Sequence, residues 1–347
     1  VDATNLTNGS FARTLGYTTL NDGGGALYKI RTITNDDVVD GINIIAMNDA
    51  GNTLVAELIK EPIPHVYDTV ADMQAATSLV VGDSARTLGY YTLGDGGGGL
   101  YRVIETTGID LSNTKYVSLD NELAAELIIT GEANVKQFGA KGDAEHDDTQ
   151  AFYYCVRSAD SIYIPTGRYI LTDTISFDNK NIRGSNYTHV TIFGKIDDAD
   201  KPILAVGGNS VVEGITVAYH EDYRTNNTAE GKRVGFLLNG GIGRDIALQQ
   251  GTIRNCQASY CGTGFYSARN VFSCVFDTLK INNSYFRGFS LTGTARTGNV
   301  YTNIYINNMG FVVKNNTDSV AINQGFCLIG EESECTINQL NVEHLTA

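Results

Sequence analysis

Apolar residues recur along the chain in short alternating runs separated by polar turns, a pattern that is typical of β-strands. A glycine–phenylalanine phrase opens five of these runs, with successive spacings of 29, 24, 22 and 15 residues. Such spacing suits stacked coils of roughly 20–30 residues, each of which adds one strand to the same sheet. The pattern predicts one internal column formed by Phe236, Phe265, Phe289, Phe311 and Phe326.

Isoleucine–asparagine pairs lie between these phrases, at Ile281, Ile306, Ile322 and Ile337. Asparagine tolerates a left-handed backbone, and asparagines at equivalent corners can stack into hydrogen-bonded ladders. We therefore expect them at the corners of successive coils.

The N-terminal part of the chain contains a tandem repeat. The segment Ala12–Ile30 recurs at Ala85–Val103 with 14 of 19 positions identical, and each copy contains the turn DGGG. Glycines at this turn allow positive φ between two strands, and no lysine or helix start follows that would favour a phosphate site. The repeat predicts two small β-rich modules, at residues 1–62 and 63–132.

A short helix is predicted before the second copy, with Asp68 as its N-cap and Val70, Met73 and Ala76 on one face. The matching positions of the first copy start too close to Val1 to include that helix. We therefore expect the sequence to be a piece of a longer chain that continues beyond both ends.

At Val135 the sequence changes to VKQFGAKGDAEHDDTQAFYYCV, followed by SIYIPTGRYIL. This combination resembles the opening of the pectate-lyase-like β-helix domain found in phage tailspikes, other tail appendages and some glycan-active enzymes. Ala144 stands where that family usually has glycine. The resemblance implies an all-β fold, a right-handed parallel β-helix over residues 133–347, with a short helix that caps the coil.

Three aspartates in this opening have structural roles that need no active site. Asp147 can N-cap the helix, with Gln150 completing a capping box, and Asp148 suits the positive end of the helix dipole. A metal or catalytic site at Asp143, Asp147 and Asp148 is the alternative, and we favour the cap. No metal site and no cofactor is predicted.

Charge and cysteine content narrow the classes of function. The net charge of −14 disfavours nucleic acid as a partner, and no apolar run reaches the length of a membrane span. The six cysteines lack zinc-site spacing, and those inside apolar runs are expected to be buried thiols, although an even count also permits disulfides.

The segment 224–300 is basic, with nine basic residues against three acidic ones. A solvated face with chance clustering is the simpler interpretation. The functional interpretation is a surface for an anionic glycan, to which four arginines contribute. These are Arg254, Arg269, Arg287 and Arg296.

The best-known enzymes of this fold have characteristic sequence motifs, which can be compared with this chain. Asn316-Thr317-Asp318 matches the first polygalacturonase element, but the later elements are missing, and so is the arginine–proline element of pectate lyases. Cleavage by paired carboxylates stays open. Asp277, between two apolar runs, and Glu343, at the end of another, are the candidates, since an apolar wall can raise the pKa of an acid.

Three functions remain compatible with the sequence. The first, which the resemblance and the tandem modules favour, is a tail protein of a phage virion that recognises and could depolymerise host-surface polysaccharide. The resemblance implies that such a protein is a homotrimer assembled in the host cytoplasm, and its N-terminal modules would contact other tail or baseplate proteins. The others are a secreted polysaccharide lyase or glycoside hydrolase, and a structural connector of the tail without a ligand.

Overall fold

Strands dominate the computed structural model of the protein, as the alternating pattern predicts. The structure describes residues 6–13, 27–39, 44–47, 53–58, 65–224, 232–239, 247–309, 324–328 and 331–345. The chain forms two compact units, Val1–Pro64 and His65–Ala347.

The first unit contains a four-stranded antiparallel sheet in the order β1-β2-β4-β3. Its strands are β1 (Phe11–Arg13), β2 (Leu27–Thr32), β3 (Ile44–Ala46) and β4 (Leu54–Leu58). Alternate residues of β2 point into a small core that contains Tyr28, Ile30, Met47 and Ala56. The glycine turn of the first repeat lies outside the described residues.

The second unit opens with the second copy of the repeat. Its elements are β5 (His65–Tyr67), α1 (Val70–Gln74), β6 (Ser84–Thr87), β7 (Leu100–Glu105), β8 (Tyr116–Ser118) and β9 (Leu123–Ile128). Strands β6-β7-β9-β8 repeat the order β1-β2-β4-β3, and Ala85 pairs with Tyr101 as Ala12 pairs with Tyr28. The two copies of the repeat therefore share strand order and register.

Helix α1 differs from the prediction at its first residue. Its N-cap is Thr69, which forms a capping box with Asp72, so the prediction of Asp68 was wrong. The hydroxyl of Thr69 accepts from the backbone N–H of Asp72, and the Asp72 carboxylate accepts from the N–H of Thr69. Val70 and Met73 are buried as predicted.

The rest of the second unit is a right-handed parallel β-helix. In chain order its elements are β10 (Ala133–Asn134), β11 (Asp143–Asp147), α2 (Thr149–Ser158), β12 (Ser161–Ile164), β13 (Gly167–Leu171), β14 (Ile175–Phe177), β15 (Asn181–Gly184), β16 (Val190–Gly194), β17 (Leu204–Val206), β18 (Val211–Glu213), β19 (Thr216–Tyr219), β20 (Val234–Leu238), β21 (Leu248–Gln249), β22 (Thr252–Ser259), β23 (Thr263–Ser267), β24 (Val271–Phe272), β25 (Val275–Asn282), β26 (Arg287–Leu291), β27 (Ala295–Thr297), β28 (Val300–Met309), β29 (Gln324–Leu328), β30 (Glu331–Ser333) and β31 (Thr336–Leu345). Two short 3₁₀ helices cover Val135–Phe138 and Glu221–Tyr223.

Three parallel sheets form the walls of the coil. The largest has twelve strands and bends within each coil, while β14-β17-β20-β23-β26-β29 and β21-β24-β27-β30 form the other two. Because successive coils repeat the same alternation, the inward positions of neighbouring strands meet and form a continuous core. That core also includes Tyr101 of the second module. The module boundaries near 62/63 and 132/133 remain predictions.

The predicted phenylalanine column is present in the described coils. Phe236, Phe265, Phe289 and Phe326 pair in register along one sheet, and all except the half-buried Phe326 are fully buried. The ring centroids of Phe236 and Phe265 are 4.5 Å apart, and those of Phe289 and Phe326 are 5.2 Å apart. Phe311 lies outside the described residues, and β26 pairs directly with β29.

The asparagine corners are only partly as predicted. Ile281 and Ile306 pair in register, but Ile337 pairs with Tyr301 on the other arm of the sheet. Ile322 lies outside the described residues. Asn283, which directly follows the pair at Ile281, has a left-handed backbone with φ of 54°, as predicted for a corner. Positive φ also recurs at one bend of the largest sheet, at Gly214, Asn255, Thr278, Asn303 and Gln339.

Helix α2 begins near Asp148, as predicted, and buries Phe152 and Cys155 at the start of the coil. The prediction of a capping box between Asp147 and Gln150 was wrong, because Asp148 is the N-cap and makes no side-chain bond to the helix. Its fully buried carboxylate accepts instead from the backbone N–H groups of Lys141 and Ile170. Asp147 accepts from the backbone N–H of Thr149, two residues later.

Candidate functional site

One outward-facing column of side chains runs along the largest sheet of the β-helix. Its members alternate along each strand with buried residues such as Ile182, Val212 and Ile253, so they point away from the core. In register they are Asn134, Tyr163, Arg183, Glu213, Arg254, Asp277, Thr302 and Asn338. Basic and acidic residues alternate in the middle of this column.

The charged residues of the column are tied to their neighbours. Arg183 donates from Nε and Nη2 to both carboxylate oxygens of Glu132, at 3.1 and 2.5 Å. Arg254 donates from Nε to Oε2 of Glu213 at 2.5 Å. We call Glu132, Arg183, Glu213, Arg254 and Asp277 the charge ladder.

Electrostatics and packing hold the first pair of the charge ladder in place. The hydrogen bond from Arg183 lowers the pKa of Glu132, and the same contact raises the pKa of Arg183. The guanidinium of Arg183 also lies 4.5 Å from the centre of the Tyr163 ring. Both members of this pair are partly exposed, so their remaining hydrogen-bonding capacity is available to a ligand.

Asp277 occupies the next acidic position of the charge ladder. Its carboxylate accepts from the hydroxyl of Thr278 at 3.0 Å and from Nδ2 of Asn303 at 3.2 Å. The side chain is half-buried, so the carboxylate is oriented by its neighbours while remaining partly open to solvent.

The loop Ser185–His189 extends over this surface. Its residue Tyr187 accepts a hydrogen bond from the hydroxyl of Thr216 on the next coil, at 2.6 Å to the carbonyl oxygen. The hydroxyl of Tyr187 accepts from Nζ of Lys280, three strands further along the sheet, at 2.9 Å. The loop is therefore attached at its tip to later coils.

A cleft of about 400 Å³ lies between this loop and the bend of the sheet. Its lining residues are Arg183, Gly184, Ser185, Asn186, Tyr187, Glu213, Gly214 and Asn255. A Cβ on Gly184 would lie 2.2 Å from the carbonyl oxygen of Gly214, so only glycine permits this close stacking of the two coils. The cleft thus has charged groups on its floor and an aromatic ring on its wall.

The four arginines predicted to bind a glycan have different positions. Arg254 belongs to the charge ladder, and Arg269 is exposed on another part of the coil. Arg287 and Arg296 are 8% and 0% exposed, so they do not lie on the surface, and the prediction that they contribute to a surface site was wrong. Arg296 donates to the carbonyl oxygens of Leu291 and Gly293, inside the coil.

The two predicted acids do not form a pair. Asp277 is in the column of Thr302, whereas Glu343 pairs with Asn307 on the other arm of the sheet. Two strand spacings of about 4.7–4.9 Å and this lateral offset separate them. The carboxylate of Glu343 accepts from the hydroxyl of Tyr305 and from Nδ2 of Asn341, and the bond from Tyr305 raises the pKa of that phenol. A catalytic role for either acid stays a prediction.

Arg183, Glu213 and Tyr187 were not among the predicted site residues. The sequence does contain a signal for Arg183 and Glu213. A triplet recurs along the β-helix that consists of an apolar residue, a polar residue and a residue suited to a corner. The triplets are IRG at Ile182, VEG at Val212, IRN at Ile253, FDT at Phe276, YTN at Tyr301 and INQ at Ile337. Their central residues are six of the eight members of the outward column.

Two further features of the described residues concern ligands and membranes. In that part of the chain no three of the histidine, cysteine, aspartate and glutamate side chains are grouped to hold a metal ion. The six cysteines are thiols, and five of them are buried. None of the described helices is long and apolar enough to cross a membrane.

Comparison with known proteins agrees with the fold. Residues 133–234 match the family model described as rhamnogalacturonase A/epimerase, pectate lyase-like. A segment of 89 residues is 36% identical to the non-secreted LysM effector LysM19 of Penicillium expansum, and this match covers 24% of the chain and 7% of that relative.

Among solved structures, the gp42 tailspike of Acinetobacter phage vb_AbaP_AS12 is similar, with a TM-score of 0.51 and 14% identity. The match covers 70% of this chain but only 46% of that tailspike, so the chain spans less than half of its length. The gp49 tailspike of Acinetobacter baumannii phage Fri1, a capsular polysaccharide depolymerase, is 13% identical over 79% of this chain and 62% of its own, with a TM-score of 0.42. The resemblance to tailspikes with a pectate-lyase-like parallel β-helix is thus confirmed at the level of the fold.

Proposed function

We propose that this chain is part of a phage tailspike that binds host-surface polysaccharide along the charge ladder. The observation that carries the proposal is the unbroken outward column that passes beside the cleft. Its rungs repeat about every 4.8 Å. A periodic series of hydrogen-bonding groups suits a periodic polymer, whose hydroxyl groups both donate and accept. The aromatic wall at Tyr187 adds an apolar surface for a sugar ring.

The proposal includes the biological setting of the chain. The tandem modules would connect the β-helix to other tail proteins, the protein would be a homotrimer in the virion, and assembly would occur in the host cytoplasm. The support for this setting is the fold shared with tailspikes and the repeated modules in front of the coil.

Binding can be tested with the full chain on an array of bacterial surface polysaccharides. The double variant Arg183→Ala/Arg254→Ala should lose at least about tenfold in affinity, because two charged hydrogen-bond donors are removed. Its matched control is Arg86→Ala/Arg102→Ala on exposed positions of the second module. Absence of binding to every polysaccharide would leave the structural connector as the function.

Cleavage is a second candidate function, favoured by the position of Glu213 and Asp277 on either side of Arg254. Two strand spacings place their Cα atoms about 9–10 Å apart. Their side chains can bring the carboxyl groups into the range of about 6.5–9.5 Å used by inverting glycosidases.

Cleavage is measured as new reducing ends, and lyase action as ultraviolet absorbance of an unsaturated product. If Glu213 and Asp277 act, Glu213→Gln and Asp277→Asn should each abolish product formation, whereas Glu343→Gln should retain it. Loss of activity in Glu343→Gln alone would assign catalysis to the other arm of the sheet.

A further inference from the structure

We infer that the cleft below the Ser185–His189 loop takes an uncharged, hydroxyl-rich sugar rather than an anionic one. This inference rests on the proposed function and names its substrate class. It departs from the anionic glycan that the basic segment suggested, because the charged side chains that line the cleft are one basic residue, Arg183, and one acidic residue, Glu213.

Acidic and basic side chains are also equal in number along the surface that contains the cleft. The charge ladder and Lys280 together contain three acidic and three basic side chains. Arg183 and Arg254 each have a carboxylate in hydrogen-bond contact, so an incoming anion would compete with a resident one. It would also meet the carboxylates of Glu213 and Asp277 across short distances, where like charges repel.

The paired groups of the ladder still offer both donors and acceptors. Arg183 uses Nε and Nη2 for Glu132, and Arg254 uses Nε for Glu213. A guanidinium has five N–H donors and a carboxylate about four acceptor positions, so each pair retains both kinds of group. A sugar hydroxyl needs one acceptor and one donor, which adjacent rungs supply.

The wall of the cleft is aromatic and fixed in position. Tyr187 lines the cleft and is held by Lys280, whose ammonium lies 5.1 Å from the ring centre and donates to the phenol oxygen. The cation of Lys280 is thereby engaged with a neutral aromatic group. The ring presents an apolar surface of the kind against which the C–H face of an uncharged sugar packs.

The experiment compares uncharged and anionic oligosaccharides of equal length on the full chain, for example glucan and N-acetylhexosamine oligomers against oligogalacturonate and poly(glycerol phosphate). Titrations are run at about 50 mM and 500 mM salt, which changes the screening length severalfold. We expect the uncharged ligands to bind with less than about a twofold effect of salt and the anionic ones at least about tenfold more weakly. Preference for the anionic ligands with a steep salt dependence would overturn this inference and leave the proposed function standing. No binding by either class would refute both.

Two sets of variants make the test specific to the cleft. Glu213→Gln removes one acceptor charge, so binding of the uncharged ligand should fall about tenfold while binding of the anionic ligand rises. A purely structural role would lower binding of both ligands, and Glu105→Gln, on an exposed position of β7, is the matched control.

The ring of Tyr187 is tested separately. Tyr187→Ala should lose binding and Tyr187→Phe should keep most of it. Equal losses in both tyrosine variants would contradict a role for the ring, and thermal unfolding of every variant verifies the fold.

Discussion

At the scale of single residues, the bend of the largest sheet shows how a repeated backbone constrains the side chain. Thr278 has φ of 53° at a position where neighbouring coils have glycine or asparagine. A left-handed backbone brings the Cβ close to the carbonyl oxygen, and a branched Cβ makes this worse. We expect Thr278→Asn to raise the free energy of unfolding by about 1 kcal/mol, measured by urea denaturation.

The reciprocal change tests the same effect of the backbone. Asn255 has φ of 51° at the equivalent position of the preceding coil, so Asn255→Thr should lower the free energy of unfolding by a similar amount. If both variants shift stability in the same direction, backbone conformation does not decide the residue at this bend.

Asp148 gives a prediction about pH at the residue scale. Burial raises the pKa of its carboxyl to about 6, although backbone N–H groups of Lys141 and Ile170 oppose the shift. The folded state therefore holds this proton more tightly than the unfolded state. The contribution of Asp148 to stability is fully present below about pH 4 and is lost as the pH rises through about 6.

The effect of this proton is isolated by comparing the wild-type chain with Asp148→Asn. Between about pH 4 and 6 the free energy of unfolding of the wild type should fall by about 2–3 kcal/mol more than that of the variant. The measurement is urea unfolding at several pH values. Identical slopes for the two proteins would show that Asp148 has the same pKa in both states.

At the scale of elements, the glycine turn of the second module is a contact with the β-helix. The carboxylate of Asp95 accepts from four backbone N–H groups within the turn. Burial of this carboxylate raises its pKa, but the four bonds together outweigh burial, so the pKa is lowered. The backbone carbonyl oxygens of this turn accept hydrogen bonds from the side chains of Asn134, Lys136 and Gln137. The glycines therefore allow the sheet of the second module to pack against the first coil of the β-helix.

Gly97 is the position at which this contact is most easily tested. A Cβ there would lie 2.6 Å from the carbonyl oxygen of Lys136 and 2.7 Å from Cβ of Tyr90. We expect Gly97→Ala to lower the free energy of unfolding by about 1–3 kcal/mol. Gly251→Ala is the control, because its nearest neighbour would be an ordinary contact at 3.5 Å, and an equal loss there would contradict the explanation.

The elements themselves were largely predictable from the sequence, because alternation and spacing are local signals. The phenylalanine column and the shared strand order of the modules follow directly from repeats. The two N-caps were not predictable, since Thr69 and Asp68 are adjacent candidates and tertiary contacts of Asp148 compete with capping. The candidate site could not be predicted without knowing the register of the strands. That register places Arg183 beside Glu213, although 30 residues separate them in sequence.

At the scale of the whole molecule, the two compact units have separate cores. The core of the first unit surrounds Tyr28 and Ile30, whereas the second core extends from the second module through the β-helix. The charge ladder and Lys280 lie between residues 132 and 280 and thus within the second unit.

This division predicts opposite results for two truncations. A chain of residues 65–347 should fold and bind polysaccharide with the affinity of the full chain, because its core and its charge ladder are intact. A chain of residues 133–347 should be strongly destabilised, since it loses Tyr101 from the shared core and the turn around Asp95 that contacts the first coil. Thermal unfolding measures the stability of both chains. Titration with the bound glycan is read for residues 65–347, because residues 133–347 lack Glu132, the partner of Arg183 in the charge ladder. Normal stability of the shorter chain would show that the second module is an independent neighbour of the β-helix rather than part of its core.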